Sequence, residues 1–532
     1  MTTIHNPVLR GFNPDASMIR VGDDYYIATS TFEWFPGVVI HHSRDLVNWR
    51  PLARPLSRPC QLNLRGVPSS GGIWAPALSY DNGLFYLCFT NVAARRGVYK
   101  DLYNYVVTAP AVEGPWSDPV YLNSSGFDHF LFHDADDRKW LFNMQWDFRK
   151  NHSRFAGIII QEFSPQEGRL VGPVKRVTQG TELGVTEGPM VYRKDGYYYL
   201  LVAEGGTGSR HAATLLRSRT VDGDYEPDPS GPILTCVGAP DHRLQKAGHG
   251  SLVETQEGEW FMAHICSRPL PDGSGLSPLG RETSIQKLAW TADGWLRLEG
   301  GGCLPLLEAT APQLPPHPFP AEPERDDFNA LPLGVNWSTL RVSADESWLT
   351  LSERPGHLRL YGRESLNSWN EQSLVARPLR SFRCEVETCM EFEPVTFNQM
   401  AGLVLYYDES DHLYLRISHD EQLGKHLAVI VSDRGVYDEV SEYVPVNGWE
   451  RCLLRAAIHD ERVQFYYSAD GKQWQSIGPV LYSGVLADEY GKKLSFTGAF
   501  AGLCVQDLSG MQLHADFDYF DYRELEDERW VK

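Results

Sequence analysis

The chain has no C-x-x-C pair and no cysteine cluster at metal-ligand spacing. Its nine cysteines (Cys60, Cys88, Cys236, Cys266, Cys303, Cys384, Cys389, Cys452 and Cys504) are scattered and odd in number. That suits reduced thiols better than a disulfide framework. No apolar run is long enough to cross a bilayer. The opening MTTIHNPVLR has neither a basic n-region nor an apolar h-region, so no secretory leader and a cytoplasmic location are expected. Positive charge is scarce: 49 Lys and Arg stand against 69 Asp and Glu, a formal net charge of -20. Nucleic acid and anionic membrane are therefore not expected as partners. Long helical periodicities are missing. So are a G-x-S-x-G elbow, an H-E-x-x-H helix, a Walker loop and a dinucleotide fingerprint, which removes the common nucleophile, zinc and nucleotide chemistries.

What is present is β-structure. At 532 residues the chain is long enough for two cores. Short β-branched and aromatic runs alternate with D-G, N-G and P-G turns, an all-β signal. One landmark recurs five times: DDYYIATS from Asp23, NGLFYLCFT from Asn82, RKWLFNMQW from Arg138, DGYYYLLVAE from Asp195 and GEWFMAHI from Gly258. A spacing of about 60 residues suits a four-stranded blade with generous loops, so residues 1–303 are expected to form a five-bladed β-propeller. Residues 304–325, inside LPLLEATAPQLPPHPFPAEPERDDF, read as a Pro-rich linker without regular structure. From 326 to 532 alternating strands return without a repeat, which predicts a β-sandwich of jelly-roll, concanavalin-like type.

Just upstream of each landmark, at the start of each blade's first strand, stands Asp15, Trp74, Asp128, Glu187 or His249. First strands line a propeller's channel, so a shared register brings these five side chains to one end of the axis. The plain alternative is that the acids cap turns. Yet three carboxylates flanked by apolar residues are costly to bury together without a purpose. Glycosidic cleavage asks for one carboxylic acid to protonate the leaving oxygen and one carboxylate to activate water or attack carbon. A third acid nearby raises its neighbour's pKa and keeps it protonated. A lone His on a strand is more often a packed, hydrogen-bonded residue than a ligand.

The stretches GFNPDASMIRVGDDYYIATSTFEWFPGV, GGIWAPALSY, NSSGFDHFLFHD, TEGPMVY, EGGTGSRHAAT, GHGSLVET and PLGRETSIQK resemble the β-xylosidases of glycoside hydrolase family 43. The likeness continues through DDFN, FTGAFAGL and VQDLSG in the second domain. The resemblance implies an exo-acting, inverting enzyme that releases terminal β-1,4-linked D-xylose from xylo-oligosaccharides, with secondary α-L-arabinofuranosidase activity. By motif it implies Asp15 as general base, Glu187 as general acid, and Asp128 as the group orienting Glu187 and tuning its pKa. Arg281 is implied to hold substrate hydroxyls and Asp128. Phe32, Trp74, Phe127, Trp146 and Thr207 are implied to line the pocket, with a ring of the FTGAF loop, Phe500, closing it from the second domain. His249 is implied to hold a calcium ion in the channel, with no obligatory cofactor. The partners implied are a small xylo-oligosaccharide or arabinose-decorated substrate and further copies of the chain in a homo-oligomer.

The chain departs from the family pattern at Ala77, Gly188, Met190 and the run Gly208, Ser209, Arg210, and its loop before PLGRET is shorter. These differences point at the leaving-group side of the pocket. Three rival readings stand beside the first: an enzyme acting mainly on arabinofuranosides, a propeller that binds carbohydrate without cleaving it, and a retaining enzyme with Asp15 as nucleophile. Retention needs carboxyls about 5–5.5 Å apart, inversion roughly 6.5–9.5 Å.

Overall fold

A computed structural model describes residues 2–492, 495–527 and 529. It has five antiparallel blades, each built from strands that follow one another in sequence, except that the first blade passes over Trp34–Phe35. Their first strands are Ser17–Val21, Gly72–Asp81, Gly126–His133, Glu187–Lys194 and Gln245–Glu254. These pack side by side around a ring, and the fifth returns to the first. All five aromatic landmarks form second strands: Asp24–Thr29, Leu84–Ala94, Lys139–Trp146, Tyr197–Glu204 and Trp260–Ser267. The hairpins follow from turn chemistry. Asn82–Gly83 and Asp195–Gly196 take φ of 50° and 82°, and 50° and 78°, which type I′ turns demand.

The ring is closed by Thr3–His5 pairing with Glu308–Thr310. The Pro-rich segment is thus not wholly irregular: three of its residues form a strand, and its Gln313 and His317 amides donate to Glu259 and Asp45 of the propeller. The segment is strapped to the blades where its amides find acceptors.

The second domain is a sandwich of two antiparallel sheets around a large apolar core. One of its sheets ends on a strand that belongs to the propeller. Trp34–Phe35 pairs with Ser338–Leu340, matching Phe35 to Thr339 and Trp34 to Leu340. A joint core forms at this seam: Phe12, Phe32 and Trp34 of the propeller bury against Leu340, Tyr406 and Phe500 of the sandwich. No α-helix occurs among the described residues, and none is long and apolar enough to cross a membrane.

Candidate active site

A cavity of about 300 Å³ opens at one end of the propeller axis. Asp15, Asp128, Glu187 and His249 all line it, as do Phe32, Trp74, Phe127, Trp146, Thr207 and Arg281. The expected register is nearly right. In each blade one residue at the start of the first strand takes a left-handed conformation: Asp15 (φ 58°), Ala75 (35°), Asp128 (52°), Gly188 (59°) and His249 (37°). In blades two to five it falls where the pairing register slips, a bulge that re-aims side chains. Trp74 and Glu187 therefore stand one residue before the position that Asp15, Asp128 and His249 occupy. Strain of this kind gathers at functional sites. Gly188 has to be glycine there, because a Cβ would lie 2.9 Å from His249 Nε2.

Asp15 is buried and doubly held. Its carboxylate accepts from Ser30 Oγ at 2.5 Å and from Arg281 Nη1 at 3.2 Å. Burial alone would raise its pKa. The Arg281 guanidinium, with His249 and the Ser30 hydroxyl behind it, outweighs burial and holds Asp15 below the usual value. Glu187 lies across the axis, with blade five between the two, and accepts no hydrogen bond among the described residues. Burial first, and the charge of Asp15 second, push it up to about 8. Asp128 is raised well above its usual value by burial and then by Glu187 and Asp15, while it accepts a 3.1 Å hydrogen bond from the Gly188 amide. The cavity thus sets Asp15, favoured as a carboxylate, against Glu187 and Asp128, both pushed toward the protonated form.

Arg281 differs from expectation. It forms its ion pair with Asp15, not Asp128, and its Nη2 donates to the Phe496 carbonyl at 2.9 Å. The reason is position: Arg281 precedes the third strand of blade five, beside blade one, whereas Asp128 stands in blade three. Phe500 also differs. It begins the strand Phe500–Asp507 and stacks on Trp34 at 3.9 Å, only 2% exposed, away from the acids. The second-domain ring in the cavity is Phe496, 5.4 Å from Trp74 and 6.1 Å from Phe32. Its amide donates to Ser70 Oγ. Ala77 and Met190 pack in the blade core instead of lining the cavity. Arg95, Lys100, Phe155, Val185 and Gly206 complete the lining. The run ARRGVYK between two strands of blade two was the available signal for the first two.

The model for Glycosyl hydrolases family 43 matches residues 4–296, and that for the Beta xylosidase C-terminal Concanavalin A-like domain matches 325–523. The chain belongs to glycosyl hydrolases family 43. As a family-43 chain it is a glycosidase, and its relatives match it end to end. A xylan 1,3-beta-xylosidase of Vibrio sp is 49% identical over 98% of this chain and 99% of that protein. Xylosidase/arabinosidase 43B of Humicola insolens is 45% identical over 99% of this chain and 98% of its own. A crystal structure of a xylan beta-1,4-xylosidase from Bacillus halodurans C-125 superposes with a TM-score of 0.97 at 57% identity, covering 98% of this chain and 100% of that one.

Proposed function

We propose that this family-43 chain removes terminal β-1,4-linked D-xylose from xylo-oligosaccharides by a single displacement with inversion, and has a secondary α-L-arabinofuranosidase activity. The observation that carries the reading is a pair of buried carboxyls facing one cavity, of which Asp15 is held by a guanidinium and a hydroxyl and Glu187 is not. Asp15, held ionised by Arg281 and Ser30, takes a proton from water as the water attacks the anomeric carbon. Glu187, kept protonated by burial and the charge of Asp15, gives its proton to the glycosidic oxygen as that bond breaks. Asp128 holds the Gly188 amide next to Glu187 and so fixes the acid's backbone. The xylose assignment and the second activity rest on the names of the relatives. The 1,4 linkage rests on the Bacillus halodurans protein, and the Vibrio relative makes 1,3-linked xylobiose the natural competitor in the assay.

The test is the anomer released first. Proton NMR of xylobiose hydrolysis should show α-xylose before mutarotation. Initial β-xylose would replace this mechanism with a covalent one on Asp15. Comparison of the nitrophenyl β-xyloside and α-arabinofuranoside should favour the xyloside.

Calcium enters this reading only as a water-held ion beside His249. Calcium takes six to eight oxygens, and among the described residues no three His, Cys, Asp or Glu side chains gather to hold a metal. His249 Nδ1 lies 3.7 Å from Asp15 Oδ1, a single imidazole at best. Calcium added to chelated enzyme should raise Tm or activity modestly. Unchanged values would leave His249 as a packing residue.

A further inference from the structure

Beyond the cavity lining, but next in sequence to residues that belong to it, two large rings stand in water. Tyr99 is 70% exposed and Phe148 51% exposed, and their centroids are 5.1 Å apart with planes at 54°. They come from different blades: Tyr99 lies between the strands Leu84–Ala94 and Asp101–Ala109, Phe148 between Lys139–Trp146 and Phe155–Ser164.

Both loops are tied to the cavity wall. Trp146 lines the cavity and donates from its indole N–H to the Val98 carbonyl at 2.9 Å, next to Tyr99. Lys100 follows Tyr99, also lines the cavity, and sets its ammonium 4.9 Å above the Trp146 ring. Phe148 follows Trp146 by two residues, at most about 7 Å of chain, a step that one sugar ring spans. Its loop is pinned by buried Asp147, whose carboxylate accepts the Arg149 amide at 3.0 Å and whose own amide donates to the Arg154 carbonyl at 3.0 Å.

We propose that Tyr99 and Phe148 form a sugar-binding platform outside the pocket that receives the third unit of a xylo-oligosaccharide, counted from the end being cleaved. The terminal sugar fills the cavity. The second lies at its mouth beside Trp146 and Lys100, and the third meets the ring pair. Xylopyranose has no exocyclic carbon, so both faces of its ring are flat and carry the axial C–H bonds that stack on aromatic faces. A contiguous exposed aromatic patch at a pocket rim is what such a ligand uses. The substrate is neutral, so ring stacking, not charge, supplies the recognition. This inference rests on the proposed xylosidase reading, and the following experiment separates the two.

Kinetics on nitrophenyl β-xyloside, xylobiose, xylotriose and xylotetraose would be measured for the full chain and for the double variant Tyr99→Ala/Phe148→Ala, with Tyr99→Phe as the ring-preserving control. In the unaltered enzyme kcat/KM should rise from xylobiose to xylotriose and then level. The double variant should lose that rise, roughly three- to tenfold and mainly through KM, while nitrophenyl xyloside turnover and Tm stay unchanged and Tyr99→Phe behaves as wild type. A flat profile in the unaltered enzyme overturns the platform whatever the variant does, and so does a rise that survives in the double variant. A variant that changes hydrodynamic size while keeping the chain-length dependence would mark the pair as a contact between copies of this chain instead. Failure to hydrolyse any xyloside would sink the xylosidase reading, and the platform with it.

Discussion

At the scale of single residues, two carboxyls differ because their surroundings differ. Asp15 has a guanidinium and a hydroxyl on it, whereas Glu187 has neither. Asp15→Ala and Glu187→Ala should each lower kcat/KM by about 10²–10⁴-fold, measured on xylobiose. A nitrophenyl leaving group should partly rescue Glu187→Ala and leave Asp15→Ala inactive, because only the first lacks nothing but a proton donor. The alkaline limb of the pH profile should belong to Glu187, near its folded value of about 8. The same shift bears on stability. A carboxyl raised from 4.5 to about 8 by folding favours the native state fully below 4.5, and that contribution is lost as pH rises toward 8. Glu187→Gln should thus melt with the wild type near pH 4.5 and above it at pH 8. Equal melting at both values would place the carboxyl in a wetter setting than the fold gives it.

At the scale of elements, periodicity marked strands well and bulges badly. The five aromatic landmarks became the five second strands, since alternation and turn residues report pairing directly. A bulge adds one residue without changing composition, so Trp74 and Glu187 seemed level with Asp15 and are one residue short of it. Contacts between distant segments were equally illegible: nothing near PLGRET says that Arg281 faces Asp15, and nothing in FTGAF says which ring turns inward. The three carboxyls were readable because they recur with the repeat. Phe496 was not, because it sits in a loop outside any repeat. The two rings therefore make opposite predictions. Phe496→Ala should weaken turnover of xylobiose with little change in Tm. Phe500→Ala removes a ring stacked on Trp34 in the joint core and should cost about 3–5 kcal/mol of stability, read by denaturant titration. A reversed pattern would return Phe500 to the pocket.

At the scale of the whole molecule, neither domain finishes its own work. The propeller supplies the acids, and the sandwich supplies Phe496 and the carbonyl that Arg281 grips. The sandwich in turn borrows Trp34–Phe35 as an edge strand. A chain ending before residue 325 should be inactive on xylobiose even where circular dichroism shows β-structure. Full activity in that fragment would make the second domain an ornament.

The borrowed strand has a further consequence for traffic. Trp34 lies two residues from Phe32, so the sheet that would have to swing aside to open the pocket is stitched to the pocket's own wall. A sugar held there leaves by the mouth through which it entered. After cleavage the freed sugar lies at the back while the shortened chain still stands in the entrance, so the chain has to depart first and the monosaccharide last. The remaining oligosaccharide cannot slide forward into a place still occupied. Each cut is followed by complete release, and accumulating monosaccharide competes with substrate for the same dead end.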